Sequence, residues 1–401
     1  MTPSSALAGL RVVEYGNNVS AAFCAKLLGD LGAEVIKVER LQGDESRQRG
    51  PFPNDVPDAE KSALFLYLNT NKRGVTLNVE DARGRELFLR LVKRADLLVE
   101  NNTPAHMERL GLTYQTLQGL NSALVVTSIT PFGQSGPYRD FRGYSIQASA
   151  MGGVTTVNGS PDREPLAPPY DLMDYSGGIY GCATSCVALL ERDMSGLGQH
   201  VDVSVSDCIA AMHTGLYIWD GLTGGRRSGR SGRGEIFPNG LWRCKDGYIS
   251  MIAPQVAQWI RFVKVMGDPE WTKQPRYRDR HAMATKYPEE VDALLAPWLM
   301  EHTKDEIFAL CREAHVPVAP VQTIDEVMRD EQLQYRGFFT RIVREDIGVI
   351  SAPGSPYHFS ETPCAVRSPP PRLGEHNENV FCGDLGLSND DLERLRRSGV
   401  V

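Results

Sequence analysis

Short apolar runs alternate with amphipathic stretches along the first 130 residues, and the alternation predicts a series of β-α-β units. Leu10 to Tyr15 is a short apolar strand, Ser20 to Leu31 a helix with small residues on one side, and Glu34 to Val38 a second strand beyond Gly32. Such alternation builds a parallel sheet. Residues 41–62 are polar, contain Gly and Pro, and read as a loop. Asn69 to Gly74 reads as a turn into a strand at Val75–Val79, and Asp81 caps an amphipathic helix running to Ala95. Leu97-Leu98-Val99 is a buried strand that breaks at Glu100-Asn101-Asn102, where polar groups would point from a strand end into a cleft. Pro104 to Arg109 is a short helix and Leu124 to Ser128 a further strand.

A Gly-rich loop from Phe132 to Gly143 leads into a helix near Tyr144–Met151. Pro168 and Pro169 then force extended chain, because neither proline nor the residue before it suits a helix interior. The apolar run Ile179 to Leu190 follows, with Asp174 as its N-cap or first-turn residue. A helix dipole favours negative charge there, by about 0.3–1 kcal/mol if exposed and about 2 kcal/mol if partly buried. The carboxylate is therefore expected to stay ionised. On local pattern alone it reads first as a cap, which an Asn would replace with little loss of stability. Gly177 and Gly178 each lower helix propensity by about 1 kcal/mol relative to Ala, so something bulky is expected against their backbone.

Val201 to Val203 is a strand, and a helix runs from Ser206 to about Tyr217. Composition shifts at Gly221–Gly234, with six Gly and four Arg in fourteen residues. This stretch reads as a linker or a mobile anion-contacting loop. Beyond it, Gly240–Cys244 and Tyr248–Ile252 flank Lys245-Asp246-Gly247, a hairpin signal. Helices follow at about 255–266, 288–301 and 303–314, then a strand at Val316–Val321 and a helix start at Ile324–Met328. Residues 339–364 read as short strands and turns, and Asp390 to Ser398 as a terminal helix.

Composition narrows the function classes. The 401 residues carry 43 Lys and Arg against 50 Asp and Glu, a net charge of −7, with no dominant basic tract, so nucleic acid is not expected as a partner. No apolar run approaches a membrane span, and Met1 to Ser5 lacks the features of a signal peptide. The eight cysteines have no C-x-x-C spacing and read as reduced core residues of a cytoplasmic protein. No His or Cys cluster marks a metal site. The loop Gly16-Asn17-Asn18-Val19 after the first strand lacks G-x-G-x-x-G, which disfavours a nicotinamide cofactor.

Seven motifs in order carry a further reading. They are Leu7-Ala8-Gly9-Leu10-Arg11-Val12-Val13-Glu14, Leu31 to Arg40, Asn71-Lys72-Arg73-Gly74, Asp96 to Asn101, Gly133-Gln134-Ser135-Gly136-Pro137-Tyr138, Asp174-Tyr175-Ser176-Gly177-Gly178 and Pro371 to His376. Together they resemble the family III CoA-transferases, whose members include formyl-CoA and carnitine CoA-transferases. The resemblance implies an α/β fold: a Rossmann-like large domain with a parallel sheet, made of both chain ends, a smaller inserted α+β domain, and two interlocked subunits. Boundaries that fit are 1–220 for the first part of the large domain, 221–234 for the linker, 235–322 for the small domain and 323–401 for the return.

The same resemblance makes Asp174 the nucleophile and coenzyme A the carried group, entering as a substrate thioester. It places Asn18, Val19, Arg40, Leu77, Asn101, Arg109 and Arg142 on CoA-binding positions. Glu80 stands where relatives can have a basic residue, which counts against that contact. Val19 replaces an active-site Gln of formyl-CoA transferase, so a larger or less polar acyl group than formyl or oxalyl is expected, with Trp219, Tyr217, Phe237 and Trp242 as possible pocket walls. Gly177-Gly178 and the 224–234 loop stand where the family holds its oxyanion. The implied activity takes CoA from an acyl-CoA donor such as succinyl-CoA to an aromatic, branched or dicarboxylic acid, in a homodimer or a closely related heterodimer. Two alternatives stay open. The fold also hosts α-methylacyl-CoA racemases, whose His-Asp pair is replaced here by Tyr144 and Ser145; the other is a non-catalytic CoA-binding subunit.

Overall fold

Adjacent valines in the first strand face opposite ways, as the two-residue period of a strand requires. Both Val12 and Val13 are buried, each in a different apolar cluster. The strand therefore lies at the middle of a layered structure. The computed structural model describes residues 5–224 and 234–401. Its strands β1 (Arg11–Tyr15), β2 (Glu34–Glu39), β3 (Lys72–Thr76), β4 (Leu97–Glu100), β5 (Val125–Thr130) and β6 (His200–Ser204) form one parallel sheet in the order β3-β2-β1-β4-β5-β6. Val12 pairs with Val35 on one side and Leu97 on the other.

Helices cover both faces. They are α1 (Ser20–Asp30), α2 (Ala63–Leu68), α3 (Ala82–Val92), α4 (Pro104–Arg109), α5 (Tyr114–Leu120), α6 (Ser145–Met151), α7 (Val154–Val157), α8 (Leu172–Ser195), α9 (Val205–Met212) and α10 (Thr214–Thr223). On one face Val13, Val38, Val75 and Leu98 pack with Phe88 of α3 and with Phe381 and Leu392 near the chain end. On the other, Val12, Val35, Leu97 and Ile129 pack with Cys24 and Leu28 of α1, Cys182 of α8 and Ile209 of α9. The long α8 lies against α1 through glycines. A Cβ on Gly178 would sit 2.9 Å from the Ser20 carbonyl oxygen and 3.1 Å from Phe23, and one on Gly177 would sit 2.8 Å from Val205. The bulky neighbours expected against this backbone are thus the protein's own elements.

One difference from the expected elements has a clear cause. β3 begins at Lys72, three residues before the strand expected at Val75. Lys72 is buried, its ammonium 2.7 Å from Glu14 Oε2, and a Cβ on Gly74 would lie 2.8 Å from Pro371. The polar stretch is drawn into the sheet by partners remote in sequence. α8 begins at Leu172, with Asp171 at the cap position and Asp174 third in the helix, after Tyr170 in the left-handed region at φ 54°.

Charged side chains also lie inside this sheet. Lys37 is fully buried between Glu14 and Asp44, 2.7 Å from each. Arg47 binds Glu39 through two hydrogen bonds of 2.7 and 2.9 Å. Three anions and three cations, Lys72 included, neutralise one another under the first two strands, so no single charge is left uncompensated.

The described residues within Met1–Thr156, Leu166–Arg227 and Tyr335–Val401 make one compact unit, and those within Val157–Pro165 and Ser228–Gln334 a second. Most of the Gly/Arg stretch, residues 225–233, lies outside the described residues. In the second unit, β7 (Asn239–Cys244), β8 (Gly247–Ile252) and β9 (Val318–Pro320) form an antiparallel sheet. Cys244 pairs with Gly247 across the turn Lys245-Asp246. Its core holds Phe237, Trp242, Trp259 and Phe262. In the first unit the return segment forms the hairpin β10 (Phe339–Arg344) and β11 (Gly348–Pro353).

Candidate active site

In an open parallel sheet, ligands bind beyond the carboxyl ends of the strands where the strand order reverses. Here the reversal lies between β1 and β4. Gly16-Asn17-Asn18-Val19 follows β1 and Asn101-Asn102 follows β4. The two turns are locked together. Asn101 Oδ1 accepts from the Asn17 N–H at 2.8 Å, and Asn101 Nδ2 donates to the Asn17 carbonyl at 2.7 Å. Asn18 sits at φ 62°, and its N–H donates to Asp44 Oδ1 at 3.0 Å. Asp44 is the carboxylate that buried Lys37 holds, so the ion network under the sheet fixes the first loop of the site.

A cleft of about 250 Å³ opens above these turns. Asn18, Val19, Arg40, Asn101, Arg142 and Asp174 all line it. Leu77 and Arg109 do not. Leu77 is 1% exposed, inside the core beside β3. Arg109 is engaged by Glu80 at 2.5 and 2.8 Å; the acidic residue noted at that position takes up the arginine's charge. Phe237 and Trp242 pack inside the second unit's core. Tyr217 donates to the Gly152 carbonyl at 2.7 Å, and the side chain of Trp219 lies outside the described residues. Gly177 and Gly178 are interior to α8, where helix bonding uses their N–H groups, and neither lines the cleft.

The cleft has two electrostatic halves. Arg40 and Arg142 are exposed and act, with Arg109, on His106, whose pKa is lowered by burial against the pull of Glu80. Neither Arg40 nor Arg142 forms an ion pair among the described residues. The other half holds Asp171, Asp174 and Arg49. Arg49 Nη2 lies 2.6 Å from Asp171 Oδ2, and its Nη1 donates to Asn18 Oδ1 at 2.9 Å. Asp174 is half-buried, and its pKa is pushed up to about 7. Burial is the main cause and the nearby Asp171 carboxylate the second, opposed by Arg49 and by the Ser145 backbone. The helix dipole was expected to keep this carboxyl readily ionised; desolvation outweighs it.

Arg49, Asp171 and His106 carry no mark in the sequence pattern. Arg49 falls in a polar loop, and Asp171 sits in a proline-rich approach. Only the signal of a second carboxylate three residues before Asp174, on the same side of a helix start, could have drawn attention to the pair.

Among the described residues, no group of His, Cys, Asp and Glu is arranged to hold a metal ion, and no helix is long and apolar enough to cross a membrane. What the cleft can do is present one poorly solvated carboxylate to an electrophile beside exposed guanidinium groups.

Comparison with known proteins bears on this chemistry. The sequence profile of CoA-transferase family III matches residues 7–377. The chain is 32% identical over 405 residues to the beta subunit of succinyl-CoA–L-malate CoA-transferase of Chloroflexus aurantiacus, covering 100% of this chain and 99% of that one. It is 31% identical over 397 residues to the succinate–glutarate CoA-transferase of Agrobacterium fabrum, covering 98% and 97%. Among solved structures, a CAIB/BAIF family protein from Brucella suis superposes with a TM-score of 0.85 at 29% identity, covering 94% of this chain and 99% of that one.

Proposed function

The chain belongs to CoA-transferase family III, and we propose that it moves coenzyme A between carboxylic acids with Asp174 as the covalent nucleophile. The observation that carries this reading is a single half-buried carboxyl with its pKa near 7, in a cleft at the strand-order reversal. A carboxylate is a weak nucleophile, and desolvation makes it a better one while leaving about half of it ionised at neutral pH.

The steps balance without a net proton. Asp174 attacks the donor thioester carbonyl, and the C–S bond breaks to give a mixed anhydride and CoA thiolate. The thiolate attacks the aspartyl carbonyl, releasing the donor acid and leaving an aspartyl-CoA thioester. The acceptor carboxylate attacks that thioester, breaking its C–S bond to give a second mixed anhydride and CoA thiolate. The thiolate then attacks the acceptor's carbonyl, breaking the anhydride and freeing Asp174 as a carboxylate. CoA carries about four negative charges on its phosphates, and exposed Arg40 and Arg142 supply unpaired countercharge at the cleft. Asn18, Val19 and Asn101 shape the same wall.

Relatives named for succinyl-CoA, malate and glutarate support succinyl-CoA as donor and a dicarboxylic acid as acceptor. Val19 in place of a polar side chain favours an acyl group larger than formyl, as a succinyl group is. A dimer is part of the proposal, with a second copy or a close relative as partner. Its support is a stripe on α8, where Ile179, Ala183, Val187, Leu190 and Met194 are exposed at helical spacing. A cytoplasmic setting suits eight cysteines without a disulfide.

The test is incubation with succinyl-CoA and a panel of carboxylic acids, with new thioesters read by mass. Hydroxylamine added during turnover should inactivate the enzyme and mark the peptide containing Asp174. Absence of any new thioester, or an adduct on another peptide, overturns the assignment.

A further inference from the structure

Asp174 shares its side of the cleft with a second carboxylate, Asp171, three residues away. A transfer reaction must bring in a third, on the acceptor acid. Arg40 and Arg142 line the cleft and act on His106, and neither acts on Asp174. Among the described residues, Arg49 is the cation that acts on Asp174, and it touches Asp171 directly. It is also held ready. One arm of its guanidinium is anchored on Asn18 Oδ1, while the other reaches Asp171 at 2.6 Å. Asn18 is itself fixed, through its N–H to Asp44 and its Nδ2 to Glu45 at 3.2 Å. The Arg49 side chain is 40% exposed and that of Asp171 16%. An ion pair open to solvent on one side is held weakly, and a planar two-armed donor matches an incoming carboxylate.

We propose that Arg49 is the carboxylate receptor of this cleft, exchanging Asp171 for the carboxylate of the incoming acid. The proposal rests on the CoA-transfer reading and names its acid-recognition residue. Arg49 thereby sets affinity for acids and not for the CoA moiety. Asp171 serves as the resting partner that the acid displaces. No bond is made or broken in this exchange, and the Asn18 anchor keeps the guanidinium in place throughout.

Arg49→Gln, Arg49→Lys and Asp171→Asn give opposed forecasts. Kinetics at pH 8.5 keep Asp174 ionised in the wild type, and kcat is read beside KM so that a change in its ionisation on loss of Arg49 shows separately from acid affinity. The readouts are KM for succinate or glutarate as acceptor, and the inhibition constant of free coenzyme A, which has no carboxylate. Arg49→Gln should raise the acid KM by about tenfold or more, the loss of one charge-assisted pair. The coenzyme A constant should stay within about threefold. Arg49→Lys should fall between, since lysine lacks the second arm. Asp171→Asn should lower the acid KM, because the guanidinium is no longer occupied. If the clamp is only structural, Asp171→Asn and Arg49→Gln raise both constants together and lower the melting temperature, and the proposal fails. If Arg49→Gln does not fold, the opposite signs of the other two variants decide. Wild-type protein that forms no thioester with any acid refutes the transfer reading and this inference with it; an unchanged acid KM in an active Arg49→Gln refutes the inference alone.

Discussion

Replacing Asp174 by Asn should make the protein more stable and inactive, and the stability gain should grow with pH. The carboxyl moves from an ordinary value of 3.8 to about 7 on folding. Between those values the native state keeps a proton that the unfolded chain has lost. Stability therefore falls as pH rises from 3.8, and the full penalty is present above 7. At about 1.36 kcal/mol per pH unit, the penalty is about 1.5 kcal/mol at pH 5 and about 4 kcal/mol at pH 8.5. Water at a half-buried group trims both figures. Asn cannot ionise and escapes the penalty at every pH. Its own hydrogen bonding adds an offset that does not change with pH, so the reliable quantity is the widening of the gap, about 2.5 kcal/mol from pH 5 to pH 8.5 at most.

Urea denaturation of both proteins at the two pH values measures this gap, provided the urea dependence is equal in both. Transfer activity is read on the same samples. Loss of a covalent nucleophile costs on the order of 10⁴–10⁶ in rate. In the wild type, the ionised fraction of Asp174 should rise about tenfold from pH 6 to pH 8, and kcat/KM with it. A gap that stays flat with pH would refute the buried-carboxyl argument. A folded Asp174→Asn retaining more than about a tenth of wild-type transfer would refute the nucleophile assignment. The sequence-based expectation, a cap that Asn replaces with little loss of stability, differs in sign from this forecast.

Two further outcomes follow from the packing. The exposed apolar stripe of α8 should be covered in an assembly that persists on dilution, so sedimentation at low micromolar concentration should show a dimer; a monomer there would sink the interlocked arrangement. Gly178→Ala should destabilise by about 1–3 kcal/mol in urea, because a Cβ 2.9 Å from the Ser20 carbonyl must push α1 from α8, against a helix-propensity gain of about 1 kcal/mol; a neutral or stabilising result would mean that the two helices separate freely.

Much of the fold is legible locally, because strands and helices here mostly follow their own periodicity. Thr303 and Glu306 form the capping box at the start of the helix Lys304–Glu313, as the local sequence implies. β3 is where local reading slips. Lys72-Arg73-Gly74 has the composition of a turn, yet Lys72 enters the sheet because Glu14, 58 positions away, supplies its countercharge. Gly74 enters it because Pro371 occupies the space a side chain would need. Neither partner belongs to the window from which a strand is read.

The site divides along the same line. Asp174 can be singled out because it stands at a helix start beside paired glycines, all within eight residues. Its charge state cannot be read that way. The helix dipole is a local property worth about 2 kcal/mol at most, and it favours the anion. The net shift of about 4 kcal/mol, with desolvation its largest cause, arises in a cleft assembled from the turns after β1 and β4, the segment 141–144 and the start of α8, and it favours the acid. Asp171 adds to the second effect from within the same helix start, but its partner Arg49 is 122 residues away. Arg49 in turn depends on Asn18, and Asn18 on Asp44 and buried Lys37. The larger effect is the one assembled over distance. A carboxylate that looks like a well-solvated cap in sequence thus becomes, in the fold, a group held near its titration point, where modest changes at Arg49 or Asp171 shift its reactivity.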